Sequence, residues 1–496
     1  MFNYGEGHLD VEKAIALAEG NLVGKLSPAT ISKIKSCRDI VDTIASSDKA
    51  VYGINTGFGP LCDTQISPTE TNLLQKNLLI THAVGVGAPI RKSLSKLMLI
   101  CKLHALSKGY SGVRLELVNR ILYYIQNDLI PVVPEQGSVG ASGDLAPLSH
   151  LFLPLIGQGE FWVDDSIVSA REILNKHRLE PIILHAKEGL ALINGTQFIL
   201  AHAVEGLHKM KYLLDLADLA GAMSLEGFQG SAAPFTESIH SLRPFKGSIK
   251  VAERIRKFLE GSQNVNSHLD CERVQDPYSI RCIPQVHGAS RNAYHHLNEL
   301  TEIELNAITD NPIILDESHV ISGGNFHGQP LAMALDYVSI ATAELGNISD
   351  RRCYLLLEGK YGLPRLLTEK GGLNSGFMIP QYTTAALVTE NKSLCFPPSA
   401  DSIPTSLGQE DHVSMGSISG RQFNQILGNL EKILAIEIMY GAQALEFRRP
   451  NTFSNIIEQN FKLVRTKVDK LEEDRLLKDD IGMMINLVKN KAFVVE

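Results

Sequence analysis

Residues 139–150 read VGASGDLAPLSH, and this stretch says more about the protein than any other part of the sequence. Within it, the Gly143 nitrogen can attack the Ala141 carbonyl carbon. Loss of two water molecules then leaves a five-membered imidazolone with an exocyclic methylene. Each residue type suits this chemistry: glycine lets the backbone bend back, alanine is small, and Ser142 supplies a leaving hydroxyl. The product is a carbon electrophile, which no ordinary side chain provides.

The same tripeptide has structural explanations that the residues alone leave open. Glycine, serine and aspartate are all common turn formers, so an isolated Ala-Ser-Gly is more often a plain turn. Ala289-Ser290 is followed by Arg291 instead of glycine, and cyclisation is not indicated there. A nucleophile-elbow serine would need glycine at the position of Asp144. The surrounding motifs have to decide between a turn and an electrophile.

Six further motifs accompany this stretch along the chain. They are residues 52–59 (YGINTGFG), 81–87 (THAVGVG), 193–196 (INGT), 275–282 (QDPYSIRC), 324–327 (GNFH) and 409–415 (QEDHVSM). Together the seven motifs resemble, in order, those of the aromatic amino-acid ammonia-lyases, and most closely the branch that acts on histidine. They extend over about residues 50–415, which makes a chance similarity untenable.

The resemblance implies a fold that is mainly α, an aspartase/fumarase-like long-helix bundle. An N-terminal domain, residues 1–200, would present the electrophile loop, and residues 201–496 would form the long-helix bundle and tetramerisation domain. It also implies a homotetramer with D2 symmetry, whose active sites draw residues from more than one subunit.

The hydrophobic pattern independently favours long helices beyond about residue 200. One apolar face is predicted by spacings of three and four at Leu331, Leu335, Val338, Thr342, Leu345 and Ile348. Residues 423–442 are apolar almost all round, which predicts a helix buried inside a bundle or between subunits. A small hairpin is expected over residues 160–168, with Asp164-Asp165 as its turn. The last 35 or so residues, rich in charge, predict a solvated helical tail.

Composition narrows the class of protein. The chain has 496 residues, 44% hydrophobic and 21% charged, with a net charge of −8. A chain of this charge lacks the basic surface expected of a nucleic-acid binder, and no apolar run approaches the ~20 residues that span a bilayer. The seven cysteines are scattered without CxxC pairs, and no secretory leader is visible. We therefore expect a cytoplasmic protein that binds neither nucleic acid nor membrane.

The resemblance assigns the electrophile to three residues. Ala141, Ser142 and Gly143 would form a 4-methylidene-imidazol-5-one group autocatalytically, and Asp144 would support ring formation. No external cofactor is implied. No metal site is expected either, since Asp411-His412 lacks further ligands at metal-binding spacing.

Further roles follow from the resemblance for residues in the other motifs. Tyr52 resembles the catalytic base, and Tyr278 the tyrosine beside the electrophile that takes part in ring formation and proton handling. Arg281 would bind the substrate carboxylate, whose geometry a guanidinium matches bidentately. Asn194 would donate to that carboxylate or hold the electrophile's oxygen. Packing against the ring and completion of the polar wall are implied for Phe326 and Gln275. Alone, each of these residues would have an ordinary structural explanation.

The substrate rests on fewer positions. Glu410 resembles the glutamate of the histidine-specific branch, where a carboxylate can accept from an imidazole N–H or balance imidazolium. Met378 resembles a methionine that lines the ring pocket. His82 is implied to bind substrate but does not discriminate, because tyrosine lyases also carry histidine there. Gly328-Gln329 and Gly408 depart from the usual Ala-Glu and Asn.

We therefore expect non-oxidative elimination of ammonia from L-histidine to give trans-urocanate, the first step of histidine degradation. The alternatives are a tyrosine or phenylalanine ammonia-lyase, an aminomutase with the same electrophile, and, more remotely, a non-catalytic helical scaffold. The intact tripeptide, Tyr52 and Arg281 argue against the scaffold.

Overall fold

The computed structural model of the chain describes residues 1–47, 50–61, 64, 66–67, 69–268 and 273–496. The prediction of a mainly α fold is confirmed, since 59% of the described residues are helical. The first nine helices are α1 Val11–Ala18, α2 Pro28–Ala45, α3 Thr71–His82, α4 Lys92–Leu106, α5 Leu115–Gln126, α6 Leu145–Phe152, α7 Ala170–Lys176, α8 Glu188–Ile193 and α9 Gln197–Phe228. The next ten are α10 Glu237–Ser241, α11 Lys246–Leu259, α12 Gln263–Asn266, α13 Tyr278–Arg281, α14 Ile283–Leu305, α15 Gln329–Leu356, α16 Met378–Leu394, α17 Gly416–Glu446, α18 Asn455–Arg465 and α19 Leu477–Lys489.

The strands are short and form small separate sheets. They are β1 Phe2–Asn3, β2 Gly24–Lys25, β3 Val86–Pro89, β4 Ile130–Pro131, β5 Pro134–Gln136, β6 Glu160–Val163, β7 Ser166–Ser169, β8 Ile313–Ile314 and β9 Val320–Ile321. β1 pairs with β2 in parallel, whereas β3–β5, β4–β6–β7 and β8–β9 are antiparallel. The hairpin expected over residues 160–168 is β6–β7, and Asp164 in its turn has φ 51°.

The chain divides into two compact units, each built from separated segments. The first unit comprises residues 1–208, 297–336 and 397–421, and the second comprises residues 209–296, 337–396 and 422–496. The division expected after residue 200 therefore differs from the structure in two segments, because residues 297–336 and 397–421 return to the first unit. Their return carries two of the predicted motifs into the unit that also contains residues 139–150.

The long helices bury the faces that their sequences predict. All six members of the apolar spacing series in α15 are buried. In α17, the side chains of Phe423, Leu430, Ile436 and Ile438 are fully buried within the single chain. α17 was predicted to be buried either inside a bundle or between subunits. Because it is buried within the single chain, its apolar character is not evidence for a subunit interface.

The prediction of a solvated C-terminal tail is wrong. α18 buries Ile457, Phe461 and Val464, which are spaced by four and three residues, and α19 buries Met484 and Leu487. The high charge of this region lies on the opposite helix faces and hides an ordinary amphipathic pattern.

Cys37, Cys101, Cys282, Cys353 and Cys395 are free thiols, whereas Cys62 and Cys271 lie outside the described residues. Within the described ranges, no helix combines the length and apolar character needed to cross a membrane.

Candidate active site

The Ala141-Ser142-Gly143 segment is a tight loop immediately before α6. Gly140, Ser142 and Gly143 all have left-handed backbone conformations, with φ of 88°, 48° and 84°. The Gly143 nitrogen donates to the Gly140 carbonyl oxygen over 3.3 Å. A serine with positive φ is held in a conformation that its side chain disfavours, so the surrounding structure must impose it.

Gly195, in the INGT motif, lies directly against this loop. Its nitrogen donates to the Ser142 carbonyl oxygen over 3.1 Å, and its own carbonyl oxygen accepts from the Asp144 nitrogen over 2.7 Å. The two backbones approach so closely that a side chain at Gly143 would collide with the Gly195 carbonyl group. Contact between the motifs therefore requires glycine at 143, whereas at Gly195 a Cβ would meet the side chains of Gln197 and Thr309; both glycines also have positive φ.

Asp144 fixes the C-terminal end of the loop. Its carboxylate is fully buried and accepts from the backbone nitrogens of Phe198 and Ile199, each over 3.0 Å, at the start of α9. Ser138 Oγ donates to the other oxygen over 3.1 Å. Burial raises the pKa of Asp144 to about 7, while these three donors oppose that rise. Asp144 thus holds the loop to α9.

A second segment, residues 410–417, also packs against the loop. Ala141 clusters with Val413 and Met415, and the Met415 nitrogen donates to the Val139 carbonyl oxygen over 3.0 Å. Ser417 Oγ donates to the Ser138 carbonyl oxygen over 2.5 Å. The loop is therefore held by this segment as well as by Gly195.

Glu410 faces Ser142. Ser142 Oγ lies 3.5 Å from Glu410 Oε1, while Glu410 Oε2 accepts from Thr405 Oγ1 over 3.0 Å and from Ser406 Oγ over 2.7 Å. Two hydroxyl groups thus fix one carboxylate oxygen and leave the other directed at Ser142. Glu410 also acts electrostatically on His82, and its charge favours the protonated form of that histidine.

His82 ends α3 beside the same loop. Its Nδ1 atom lies 2.8 Å from the Leu78 carbonyl oxygen, and burial lowers its pKa. The last two residues of the 139–150 stretch bind α3 and the residues that follow it. Ser149 Oγ donates to the Leu79 carbonyl oxygen over 2.5 Å, and His150 Nε2 accepts from the Gly85 nitrogen over 3.0 Å. Ser149 and His150 therefore position α3 and its exit relative to the loop.

Three further predicted residues lie in this unit. Asn194 is buried at the end of α8, and its carbonyl oxygen accepts from the buried Lys102 Nζ. Tyr52 is half-buried in its glycine-rich loop, with its ring centroid 6.4 Å from that of Phe58. Phe326 is half-buried and precedes His327, which is linked to the 410–417 segment through a contact of 3.2 Å between its Nε2 atom and the His412 carbonyl oxygen.

The remaining predicted residues belong to the second unit. Arg281 Nε donates to the Asp276 carbonyl oxygen over 3.0 Å, and its guanidinium lies 4.4 Å above the Tyr278 ring centroid. Gln275 and Arg281 line a cleft of about 900 Å³ within this unit. Tyr278 is 71% exposed, and Met378 is half-buried at the start of α16.

Comparison with known proteins decides which family this arrangement represents. The sequence model described as aromatic amino acid lyase matches residues 9–466. The chain belongs to the aromatic amino acid lyase family. Among its relatives, the histidine ammonia-lyase of Symbiobacterium thermophilum is 45% identical over 489 residues, covering 98% of this chain and 96% of the relative.

Solved structures of the family superimpose over almost the whole chain. The crystal structure of histidine ammonia-lyase from Trypanosoma cruzi gives a TM-score of 0.91 at 40% identity, covering 99% of this chain and 93% of that one. Tyrosine aminomutase from Streptomyces globisporus gives 0.93 at 33% identity, covering 99% and 98%. The fold is therefore common to family members that are named for different reactions.

Two departures from the usual text of the family have local structural explanations. Gly408 has φ 86°, and no atom lies within 4 Å of where its Cβ would be. Glycine and asparagine both tolerate this left-handed conformation, so either residue can occupy this turn. At Gly328, a Cβ would lie 2.7 Å from the Ile199 side chain, so glycine relieves a close contact.

Sequence reasoning missed several residues that build the site. The hydroxyl groups of Thr405 and Ser406 orient Glu410, but nothing in the local sequence singles them out. Lys102 had a detectable signal, because it is one of only two polar residues in the otherwise apolar run of residues 97–106 (LMLICKLHAL).

Proposed function

We propose that this chain eliminates ammonia from L-histidine to give trans-urocanate, the first step of histidine degradation. The observation that carries the proposal is the Glu410 carboxylate, which faces Ser142 at 3.5 Å and acts on His82 in a member of this family. The names of the histidine ammonia-lyase relatives support the same substrate.

The electrophile of the proposed reaction is a 4-methylidene-imidazol-5-one group formed autocatalytically from Ala141, Ser142 and Gly143, without an external cofactor. The residues fit this group, because the loop is already folded back by positive φ at Ser142 and Gly143 and is clasped by Gly195. The Gly195 N–H and the Asn194 side chain would hold its oxygen. When formed, the group supplies an electrophilic carbon beside the substrate.

Other residues of the chain bind the substrate and move its protons. Tyr52 would remove the weakly acidic β-hydrogen as general base, and Tyr278 would handle protons at the reacting centre. Arg281 would clamp the carboxylate bidentately. Its guanidinium is held in place by the Asp276 carbonyl oxygen and by the Tyr278 ring. Gln275 would complete the polar wall.

Recognition of the imidazole would fall to three side chains. Glu410 would accept a hydrogen bond from the ring N–H or balance an imidazolium charge, and its fixed second oxygen makes it a preorganised acceptor. His82 would contact the substrate from the end of α3. Met378 would supply an adaptable apolar wall, and Phe326 would pack against the electrophile.

The proposed assembly is a homotetramer whose active sites are shared between subunits. In the second unit, α15 and α16 run antiparallel: Gln381 donates to Asp350 over 3.0 Å, and Cys395 Sγ lies 3.6 Å from the Ser339 carbonyl oxygen. This helix pair and the residues that follow it carry large apolar side chains that are about half or more exposed. They are Tyr337, Ile340, Tyr354, Ile379, Tyr382 and Phe396.

These six residues, the apolar helix face, support burial against other copies of the chain, because exposed apolar groups of this size mark interaction surfaces. The exposure of Tyr278, expected to work in a water-excluded site, supports completion of the site by another subunit. A cytoplasmic location, with no nucleic-acid or membrane partner, accords with the composition.

A substrate panel tests the proposal. The purified chain is assayed with L-histidine, L-tyrosine and L-phenylalanine, measuring the conjugated product by absorbance and free ammonia separately. We expect turnover of histidine well above the other two. Preferred turnover of tyrosine would overturn the substrate and leave the electrophile chemistry standing. A β-amino acid product without ammonia would indicate an aminomutase, and no turnover by a folded, dehydrated chain would reject the lyase function.

A further inference from the structure

Lys102 is a buried cationic residue that the proposed reaction does not use. It lies in α4 and is only 2% exposed, and Leu99, Cys101 and Leu103 of the same helix are buried as well. Burial lowers its pKa to about 7. A methionine would fill nearly the same volume without the cost of removing an amine from water. A lysine at this position therefore requires a polar contact that compensates for its burial.

That contact joins Lys102 to the electrophile loop through a single peptide group. Lys102 Nζ donates to the Asn194 carbonyl oxygen. The N–H of the same peptide group belongs to Gly195, and it donates to the Ser142 carbonyl oxygen over 3.1 Å. A donor on the oxygen of a peptide polarises that peptide and strengthens its N–H as a donor. The effect of Lys102 thus reaches the Ser142 oxygen.

The charged groups around Lys102 do not take it away from the Asn194 carbonyl oxygen. Asp310, Lys187 and Asp144 all act on it electrostatically. The Asp310 carboxylate accepts from Lys187 Nζ over 2.7 Å, and both of these side chains are buried. Lys187 therefore forms an ion pair, whereas Lys102 donates to a backbone carbonyl group that adjoins the loop.

The chemistry of ring closure gives the Ser142 oxygen a specific part. The Ser142 carbonyl and the Gly143 N–H form one amide, so removal of the Gly143 proton places negative charge on the Ser142 oxygen. The Gly143 nitrogen then bonds to the Ala141 carbonyl carbon, whose oxygen leaves as water with the amide protons of Gly143 and Ser142. The Ser142 hydroxyl leaves as the second water with the Ser142 α-proton, and no redox partner is needed.

We propose that Lys102 is a positioning residue for formation of the electrophile. It holds and polarises the Asn194–Gly195 peptide so that the Gly195 N–H stabilises the charge that develops on the Ser142 oxygen. This inference rests on the proposed function, because it assumes that residues 141–143 cyclise.

The test measures dehydration directly instead of turnover. The full-length chain and its Lys102→Met variant are synthesised in a cell-free system, and folded protein is sampled over time for intact mass. Lys102→Arg keeps a donor, and Lys187→Met removes the neighbouring buried lysine that does not contact the loop. We expect Lys102→Met to lose its two waters at least about tenfold more slowly, as for loss of one charge-assisted hydrogen bond.

The controls separate this role from general destabilisation. Lys102→Arg should dehydrate at close to the rate of the chain without substitutions. Lys187→Met should dehydrate fully even where its melting temperature falls. The inference would be overturned if Lys102→Met dehydrated as fast as the chain without substitutions. It would also be overturned if Lys187→Met dehydrated as slowly as Lys102→Met. If Lys102→Met does not fold, Lys102→Leu, which also lacks a donor, replaces it with the same two outcomes. If the chain without substitutions never dehydrates, the proposed function itself is rejected.

Discussion

The Oγ atom of Ser142 lies 3.5 Å from the Oε1 atom of Glu410, although 268 positions separate the two residues in the chain. This proximity brings the carboxylate proposed to bind the imidazole to the residue proposed to become the electrophilic carbon. Because Thr405 and Ser406 fix the other oxygen of Glu410, its orientation is set before any substrate binds. In the proposed reaction, substrate specificity and the electrophile would thus depend on residues in direct contact.

Replacing Glu410 should affect histidine selectively. We expect Glu410→Ala to lower kcat/KM for L-histidine by about 10- to 100-fold, the effect of losing a hydrogen bond to a charged group. Glu410→Gln keeps an acceptor and should lose less. Steady-state kinetics of both variants check this, with the exposed Glu317→Ala as a control in the same unit. Unchanged histidine kinetics in Glu410→Ala would show that the carboxylate does not bind the ring.

Shared active sites predict complementation between inactive variants. Tyr52→Phe should mainly lower kcat, and Arg281→Ala should also raise KM because the carboxylate loses its partner. If the two residues reach one site from different subunits, mixed tetramers of these variants should regain part of the activity. Activity is measured after subunit exchange has been verified by mass spectrometry. No recovery in verified hybrids would contradict the shared site.

The proposed homotetramer would bury the apolar helix face between subunits. Tyr382→Arg places a charge within this face and should convert the proposed tetramer to smaller species, measured by light scattering after size-exclusion chromatography. Helix content by circular dichroism should be retained, since the Tyr382 side chain is 60% exposed in the single chain. A tetramer that survives this substitution would place the subunit interface elsewhere.

Buried neutral histidine should make the fold sensitive to acid. His104 is fully buried, its Nδ1 accepts from the Gly5 nitrogen over 3.2 Å, and burial lowers its pKa to about 4. Between the unfolded pKa of about 6.5 and pH 4, the unfolded chain binds a proton that the folded chain does not. The free energy of unfolding should therefore fall as the pH falls through this window, by up to about 3 kcal/mol from this residue.

His104→Asn provides the matched control for that effect. The asparagine oxygen can still accept from the Gly5 nitrogen, but the side chain does not titrate. Urea unfolding at pH 7 and at pH 4.5 should show a smaller difference in the variant than in the unmodified chain. An equal difference in the two proteins would mean that His104 does not account for the acid sensitivity.

Local patterns predicted those features whose causes are local. The β6–β7 hairpin was predicted from the Asp164-Asp165 turn between two short segments, and the buried face of α15 from spacings of three and four residues. The same physics was present in α18, where Ile457, Phe461 and Val464 form a buried face, but the abundance of charge obscured it. An amphipathic pattern in a charged segment is therefore more informative than its overall composition.

Long-range features could not be predicted in this way. No local signal shows that residues 297–336 and 397–421 return to the first unit, since this depends on packing between segments far apart in the chain. The seven motifs indicated the chemistry, but not that Gly195 would clasp the loop or that Lys102 would bind the adjoining peptide. Those contacts depend on how closely distant segments of the backbone approach one another, which residue types alone do not reveal.

Intact mass of the purified, folded chain tests the central claim most directly. The account predicts a mass lower than that of the translated sequence by two water molecules, with the loss located in the peptide that contains residues 141–143. Ser142→Ala should lack the loss of the serine hydroxyl and should abolish turnover while remaining a folded tetramer. A folded, unmodified chain with the full mass of its sequence would contradict the account.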